Sequence, residues 1–282
     1  MDNRQNLPPL REVISQYGLS ANKALGQHFL LDSNLTDRIA RSVDDLSSGT
    51  TIEIGPGPGG LTRSLLAGGA SIIAVEKDSR FAKALEPLQD AYPGRLEILK
   101  DDALNLDISS LGEAPRRVVS NLPYNVGTEL LLLWLRDTSA LTSLTLMFQR
   151  EVAARITAPA NTKAYGRLSV ICQWLCDAEI LFHVNPQAFT PPPAVDSTVV
   201  RLTPLPTPRF PADRTTLERV TAAGFGQRRK MLRQSLMPLL QGSPWNLTET
   251  LCRHCDIDPT ARAETLSLEQ FCRLAVALKA GP

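Results

Sequence analysis

Residues 50–66 read TTIEIGPGPGGLTRSLL. The first five are β-branched apart from Glu53, which predicts a buried strand. Glycines at 55, 57 and 59 then let the backbone turn sharply and come close to a ligand without Cβ interference. LTRSLL resumes with apolar residues at helical spacing. Strand, glycine turn and helix in that order open a parallel α/β sheet.

The same alternation continues outward. Strands are predicted at 71–76 (SIIAVE), 95–99 (RLEIL), 116–120 (RRVVS) and 143–148 (SLTLMF), with the helical runs LTRSLLAGG, RFAKALEPLQ and ELLLLWLR between them. Near-continuous apolar strands separated by helices imply a mostly parallel sheet covered on both faces. After the helical stretch YGRLSVICQWLCD (165–177), two more strands are expected at 178–184 and 195–202, completing seven. The segment between them, NPQAFTPPPA, carries four prolines and reads as a structured loop or extended arm.

Beyond TPLPTPRFPADR (203–214), whose prolines mark a linker, the pattern is helical throughout, broken at GSPWN with Ser243 or Asn246 as possible caps. The expected organisation is a Rossmann-like domain with an N-terminal helical extension over 1–204 and a small all-helical C-terminal domain over 212–282.

Ligands of such a sheet sit beyond the carboxyl ends of its strands. Gly55, Gly57 and Gly60 satisfy G-x-G-x-x-G, and Glu76 follows Gly57 by 19 residues, a pattern that a dinucleotide site would share. Two features favour a nucleoside without phosphates. Pro56 and Pro58 remove N–H donors that a pyrophosphate would use. Asp102 supplies a second carboxylate at the same edge, suited to an exocyclic amino group, while Glu76 suits paired ribose hydroxyls. S-adenosylmethionine is such a ligand, with a carboxylate for the helix N-terminus.

The fourth strand runs into VVSNLPY (118–124) on that same rim. An amino nitrogen conjugated to an aromatic ring is a poor nucleophile. The Asn121 amide oxygen and a backbone carbonyl near Leu122 can accept its hydrogens and favour a tetrahedral nitrogen. Pro123 fixes the turn, and Tyr124 offers a stacking face for the base. No carboxylate stands in the motif, so the expected catalysis is positioning and electrostatics.

The chain has 282 residues and a net charge of +1, which hides an asymmetry. Residues 1–200 hold 18 Lys and Arg against 22 Asp and Glu, whereas residues 201–282 hold 12 against 7. Eight of those cations lie between Arg201 and Arg233, as a polyanionic partner would require. The longest apolar runs, such as LLLLWL (130–135), are too short to span a membrane, and the polar start MDNRQNLPPLREV has no signal-peptide core. A cytoplasmic location is expected. Five scattered cysteines argue for reduced thiols, and the lone Cys252-x-x-Cys255 pair has no second pair to complete a zinc site, so no metal is expected.

Taken in order, KALGQHFLLD (23–32), EIGPGPGGLT (53–62), DDAL (101–104), NLPYNV (121–126), FQREVAARI (148–156), AYGRLSV (164–170), FTPPPAVDS (189–197) and GFGQRRKMLRQSL (224–236) resemble the small-subunit ribosomal RNA adenine dimethyltransferase family, in its bacterial branch. The resemblance implies transfer of two methyl groups from S-adenosylmethionine to N6 of each of two adjacent adenosines near the 3′ end of the small-subunit RNA. It implies a monomer acting on the immature 30S subunit, with a role in ribosome biogenesis.

Carried over by position, the cofactor residues are His28, Leu30, Gly55, Gly57, Glu76, Asp102 and Asn121. The catalytic segment is Asn121, Leu122, Pro123 and Tyr124, and Phe189 holds the flipped base against Tyr124. A basic helix carrying Arg228, Arg229, Lys230 and Arg233 lies along RNA. His28 departs from the pattern, because many relatives have Asn in that segment. Three other readings remain open at this point: a large-subunit adenine methyltransferase of the macrolide-resistance type, a nucleic-acid-binding factor similar to mitochondrial transcription factors, and a NAD-dependent enzyme lacking a hydride-transfer site.

Overall fold

The computed structural model describes residues 7–21 and 26–281. Lys23–Leu25 of the KALGQHFLLD stretch lie outside the described residues. In chain order the elements begin with α1 (Leu10–Gln16), β1 (Phe29–Leu30), α2 (Ser33–Arg41), β2 (Thr50–Ile54), α3 (Gly60–Ala67), β3 (Ile72–Val75), α4 (Ser79–Ala91) and β4 (Leu96–Leu99). They continue with β5 (Arg116–Asn121), α5 (Gly127–Trp134), β6 (Leu141–Gln149), α6 (Arg150–Thr157), α7 (Arg167–Leu175), β7 (Cys176–Val184), β8 (Phe189–Thr190) and β9 (Ser197–Pro204). The last four helices are α8 (Arg214–Gly226), α9 (Leu232–Ser235), α10 (Thr248–His254) and α11 (Leu268–Ala280).

Local chemistry sets several boundaries. Asp32, Asp78 and Asp213 each cap a helix by accepting a backbone N–H of its first turn, and Ser267 closes a capping box with Gln270. The seven strands run in the order β4-β3-β2-β5-β6-β9-β7. β2, β3, β4, β5 and β6 pair in parallel, and β9 pairs antiparallel to β6. Every residue of β2 is buried, as a central strand covered on both faces requires. From β2 the chain builds outward through β3 to β4, then returns to β5 on the other side of β2. That reversal opens a crevice at the carboxyl ends of β2 and β5.

The chain divides into two compact units, the first comprising residues up to Ala153 together with Glu179–Pro204, the second Ala154–Ala178 and Leu205 onward. Residues 154–178, assigned to the first domain from the sequence, belong to the second unit. Within that unit the Gln173 amide donates to the carbonyls of Ile156 and Ala158, and Tyr165 packs against Phe225 and Phe271. In the first unit, Leu65, Leu66, Ile72, Ala74, Leu85 and Leu88 form one buried layer between the sheet and its helices.

Two expectations are corrected. Residues 227–231 form no helix, since α8 ends at Gly226 and α9 begins only at Leu232. The basic residues 228–230 therefore occupy a turn. Neither Ser243 nor Asn246 caps α10, whose N-cap is Leu247, while the Ser243 hydroxyl accepts from the Trp245 backbone. The two-residue strands β1 and β8 were not foreseen. They pair antiparallel, Leu30 opposite Phe189. All five cysteines are buried free thiols. Among the described residues no helix is long and apolar enough to cross a membrane.

Candidate active site

A cavity of about 290 Å³ lies at the strand ends of the first unit. It is lined by His28 and Leu30 from β1 and its approach, Gly55 and Gly57 after β2, Glu76 after β3, Asp102 after β4, and Asn121 through Tyr124 after β5. Ten residues singled out from sequence thus meet at one place: eight follow or end parallel strands of the central sheet that point the same way, and His28 and Leu30 are brought there by the short pairing of β1 with β8.

The glycine loop is held in a conformation that few side chains tolerate. Gly55, Gly57 and Gly59 have φ of +64°, +56° and +89°. A Cβ on Gly57 would meet only the Phe29 ring, at 3.8 Å, so that edge of the loop is open to close approach. Gly60 serves packing instead, since a Cβ there would fall 2.3 Å from the Leu30 carbonyl oxygen.

The Glu76 carboxylate accepts from the backbone N–H of Asp78 at 2.9 Å and of Gly57 at 3.3 Å, which ties the end of β3 to the loop after β2. Burial raises its pKa, and those two N–H groups oppose the rise. Asp102 is more open. The Lys77 ammonium at 2.6 Å holds its pKa low, assisted by the Leu104 N–H.

Glu53 was missed as a site residue. It lines the cavity, is 2% exposed, and leaves Oε2 without a hydrogen-bond partner. Burial pushes its pKa up to about 8, and the nearby Thr62 hydroxyl, whose geometry falls short of a hydrogen bond, offsets part of the rise. Its signal was present, as the one charged residue in TTIEI.

At the end of β5 the side chains are fixed by neighbours distant in sequence. Asn121 Nδ2 donates to the His28 carbonyl at 3.1 Å, which orients Oδ1 as the free acceptor. Tyr124 meets the hydroxyl of Ser197, a second residue missed from the sequence, although it stands in the quoted FTPPPAVDS stretch. Burial raises the Tyr124 pKa and the Ser197 bond opposes it, so the phenol is neutral near pH 7.

Phe189 requires correction as a base-stacking residue. It is 2% exposed, does not line the cavity, and sits in the core with Val119, Met147 and Val199. Its ring meets the His28 ring edge-on at 6.3 Å, so it backs the wall of the cavity.

In the second unit, Arg228 is also reassigned. It pairs with Glu264 at 2.7 Å and donates to the Thr162 carbonyl, so its charge is largely engaged within the fold. Arg229, Lys230 and Arg233 are exposed and have no ion pair among the described residues.

S-adenosylmethionine fits this donor set. Glycines without Cβ line one edge, Glu76 retains lone pairs for hydroxyl donors, and the buried Glu53 oxygen lacks a donor that a ligand ammonium could supply. Among the described residues no group of three or more His, Cys, Asp or Glu could hold a metal.

The profile of the family described as "Ribosomal RNA adenine dimethylase" matches residues 18–280. The chain is 58% identical to the ribosomal RNA small subunit methyltransferase A of Rhodospirillum rubrum, over 97% of this chain and 93% of that protein. The corresponding figures for the protein of the same name in Rhizobium meliloti are 55%, 95% and 97%. Among solved structures, a dimethyladenosine transferase from Plasmodium falciparum shares the fold, with a TM-score of 0.77 at 24% identity, covering 89% of this chain and 98% of that one. The 23S rRNA methyltransferase ErmE superposes with a TM-score of 0.67 at 25% identity, over 89% and 99%.

Proposed function

This chain belongs to the ribosomal RNA adenine dimethylase family, and from that premise we propose that it dimethylates N6 of two adjacent adenosines near the 3′ end of 16S rRNA in the immature 30S subunit. It is an S-adenosylmethionine-dependent rRNA (adenine-N6,N6)-dimethyltransferase of the cytoplasm, acting as a monomer. The observation that carries the reading is Asn121, whose Nδ2 is held by the His28 carbonyl so that Oδ1 is left to accept an amino hydrogen.

The cofactor supplies a methyl group on a cationic sulfur. Glu76 takes the ribose hydroxyls, Asp102 the adenine amino group, and the loop of Gly55 and Gly57 lets the backbone come close. His28 and Leu30 complete the lining. On the substrate side, the Asn121 oxygen and a carbonyl of the following turn hold the N6 hydrogens and keep the nitrogen lone pair directed at the methyl group. Leu122, 2% exposed, anchors that turn in the core. Pro123 sets its path, and Tyr124 stacks on the flipped base. Exposed Arg229, Lys230 and Arg233 contact RNA phosphates.

Methyl transfer to 30S subunits from cells lacking this modification, followed by nucleoside analysis, tests the reading. The expected product is N6,N6-dimethyladenosine at two adjacent positions of 16S rRNA. Modification confined to large-subunit RNA, or to another atom, would overturn it.

A further inference from the structure

Asn121 and His28 are joined through the His28 backbone carbonyl, and the His28 ring makes a separate contact. Its Nδ1 lies 2.7 Å from the carbonyl oxygen of Pro191. A carbonyl only accepts, so Nδ1 carries the hydrogen and donates it. In the neutral imidazole the lone pair is then on Nε2. That nitrogen has no partner among the described residues, and the half-buried ring lines the cavity. The Tyr124 ring, 5.3 Å away, and the edge of Phe189 hold it in place.

The geometry points to His28 Nε2 as the acceptor of the proton that N6 releases on methylation, a role that rests on the adenine N6 reading above. When the N6 lone pair forms the new N–C bond, the methyl carbon's bond to sulfur breaks and its electron pair stays on sulfur. The nitrogen gains positive charge as this happens and loses one H⁺ in the same step. Nε2 takes that proton, and the resulting imidazolium keeps its Nδ1–H bond to Pro191. The proton leaves to water through the open side of the cavity, and the second methylation releases its proton the same way.

Other groups are less suited. Tyr124 is hydrogen-bonded to Ser197 with its pKa raised, and Asp102 is paired with Lys77 with its pKa lowered. Glu76 is bound to two backbone N–H groups, and Glu53 is 2% exposed within β2. Asp101 completes the charged lining. From the loop after β8, the charged group is Asp196, which pairs with Arg150.

Two measurements test the assignment. Long-range ¹H–¹⁵N NMR of the histidine rings, with His28 identified by its loss in His28→Asn, should show protonated Nδ1 and bare Nε2 at neutral pH. Single-turnover transfer to 30S subunits, with cofactor and subunit saturating, should fall on the acid side with the midpoint of His28's own NMR titration. In His28→Asn or His28→Gln, either of which can hydrogen-bond but not take the proton, the alkaline rate should drop at least tenfold and the acid limb should vanish. An Nε2–H tautomer, or a folded variant with wild-type rate and pH profile, would overturn the role. If instead the wild type transfers no methyl to adenosine while the NMR result holds, the functional reading itself fails and takes this role with it.

Discussion

The Tyr124 phenol oxygen lies 2.5 Å from the hydroxyl of Ser197, a residue with no exposed surface at the start of β9. The tether joins the loop after β5 to the strand that pairs with β6, and it fixes the position of the phenol end of the aromatic ring proposed to meet the base. The hydroxyl of Tyr124 therefore has a structural partner of its own.

Tyr124→Phe keeps the ring but leaves the Ser197 hydroxyl buried without a partner, at a cost of about 1–3 kcal/mol in stability. Ser197→Ala in the same background should recover part of it, giving a coupling of about 0.5–3 kcal/mol in a double-mutant cycle. Tyr124→Ala should lose, in addition, the ~1–3 kcal/mol of base stacking in RNA binding. Urea unfolding and RNA titration separate the two effects, and strict additivity in the cycle would mean that the tether contributes nothing.

Glu53 makes stability depend on pH. Its pKa is about 8 in the folded chain against an ordinary value of 4.5, so between these limits the native state holds a proton that the unfolded state has released. Stability from this group is fully present below about 4.5 and is lost as pH rises toward 8. The slope reaches at most about 1.4 kcal/mol per pH unit. Unfolding free energies between pH 5 and 9 should therefore fall more steeply for the wild type than for Glu53→Gln. Parallel curves would show that Glu53 titrates normally.

Gly60 and Gly57 should respond differently to alanine. At Gly60 the new methyl collides with the backbone of Leu30, so β1 and α3 must separate, at about 1–3 kcal/mol or more. At Gly57 the methyl has room and the cost is the left-handed backbone, about 1–2 kcal/mol. Gly57→Ala should also weaken cofactor binding measured by calorimetry. Wild-type stability in Gly60→Ala would contradict the packing role.

Glu76→Ala removes the acceptor assigned to the ribose and should weaken S-adenosylmethionine binding by about 1–3 kcal/mol. Unchanged affinity in a folded variant would withdraw that assignment.

Neutralising Arg229, Lys230 and Arg233 should flatten the dependence of log RNA affinity on log salt concentration, with cofactor affinity unchanged. Arg228→Ala should act on the fold, lowering the stability of the second unit by about 0.5–1 kcal/mol through loss of the Glu264 pair. A salt slope equal to wild type in the triple variant would mark the cluster as a solvated face.

The strands of the central sheet, the glycine loop and the carboxylates after β3 and β4 were legible in the sequence. Their signals are local: β-branched runs, glycine spacing, and a residue's place just after a strand. The cavity followed because parallel strands bring their carboxyl ends to one rim. Tertiary structure alone decided the rest. Two-residue strands such as β1 and β8 carry no periodicity and exist only through pairing with each other. Whether Phe189 faced a ligand or the core turned on β1, far back in the chain, where Leu30 stands opposite it, and whether Arg228 was free or held turned on Glu264, 36 residues on. Residues 154–178 joined the second unit because their hydrogen bonds and aromatic contacts are made there, although the chain on either side, up to Ala153 and from Glu179, belongs to the first. The partners that set the chemistry of the site, Pro191 on His28 and Ser197 on Tyr124, lie 163 and 73 residues away. A hydrogen bond depends on the distance between two atoms in space, and no local pattern in the chain encodes that distance.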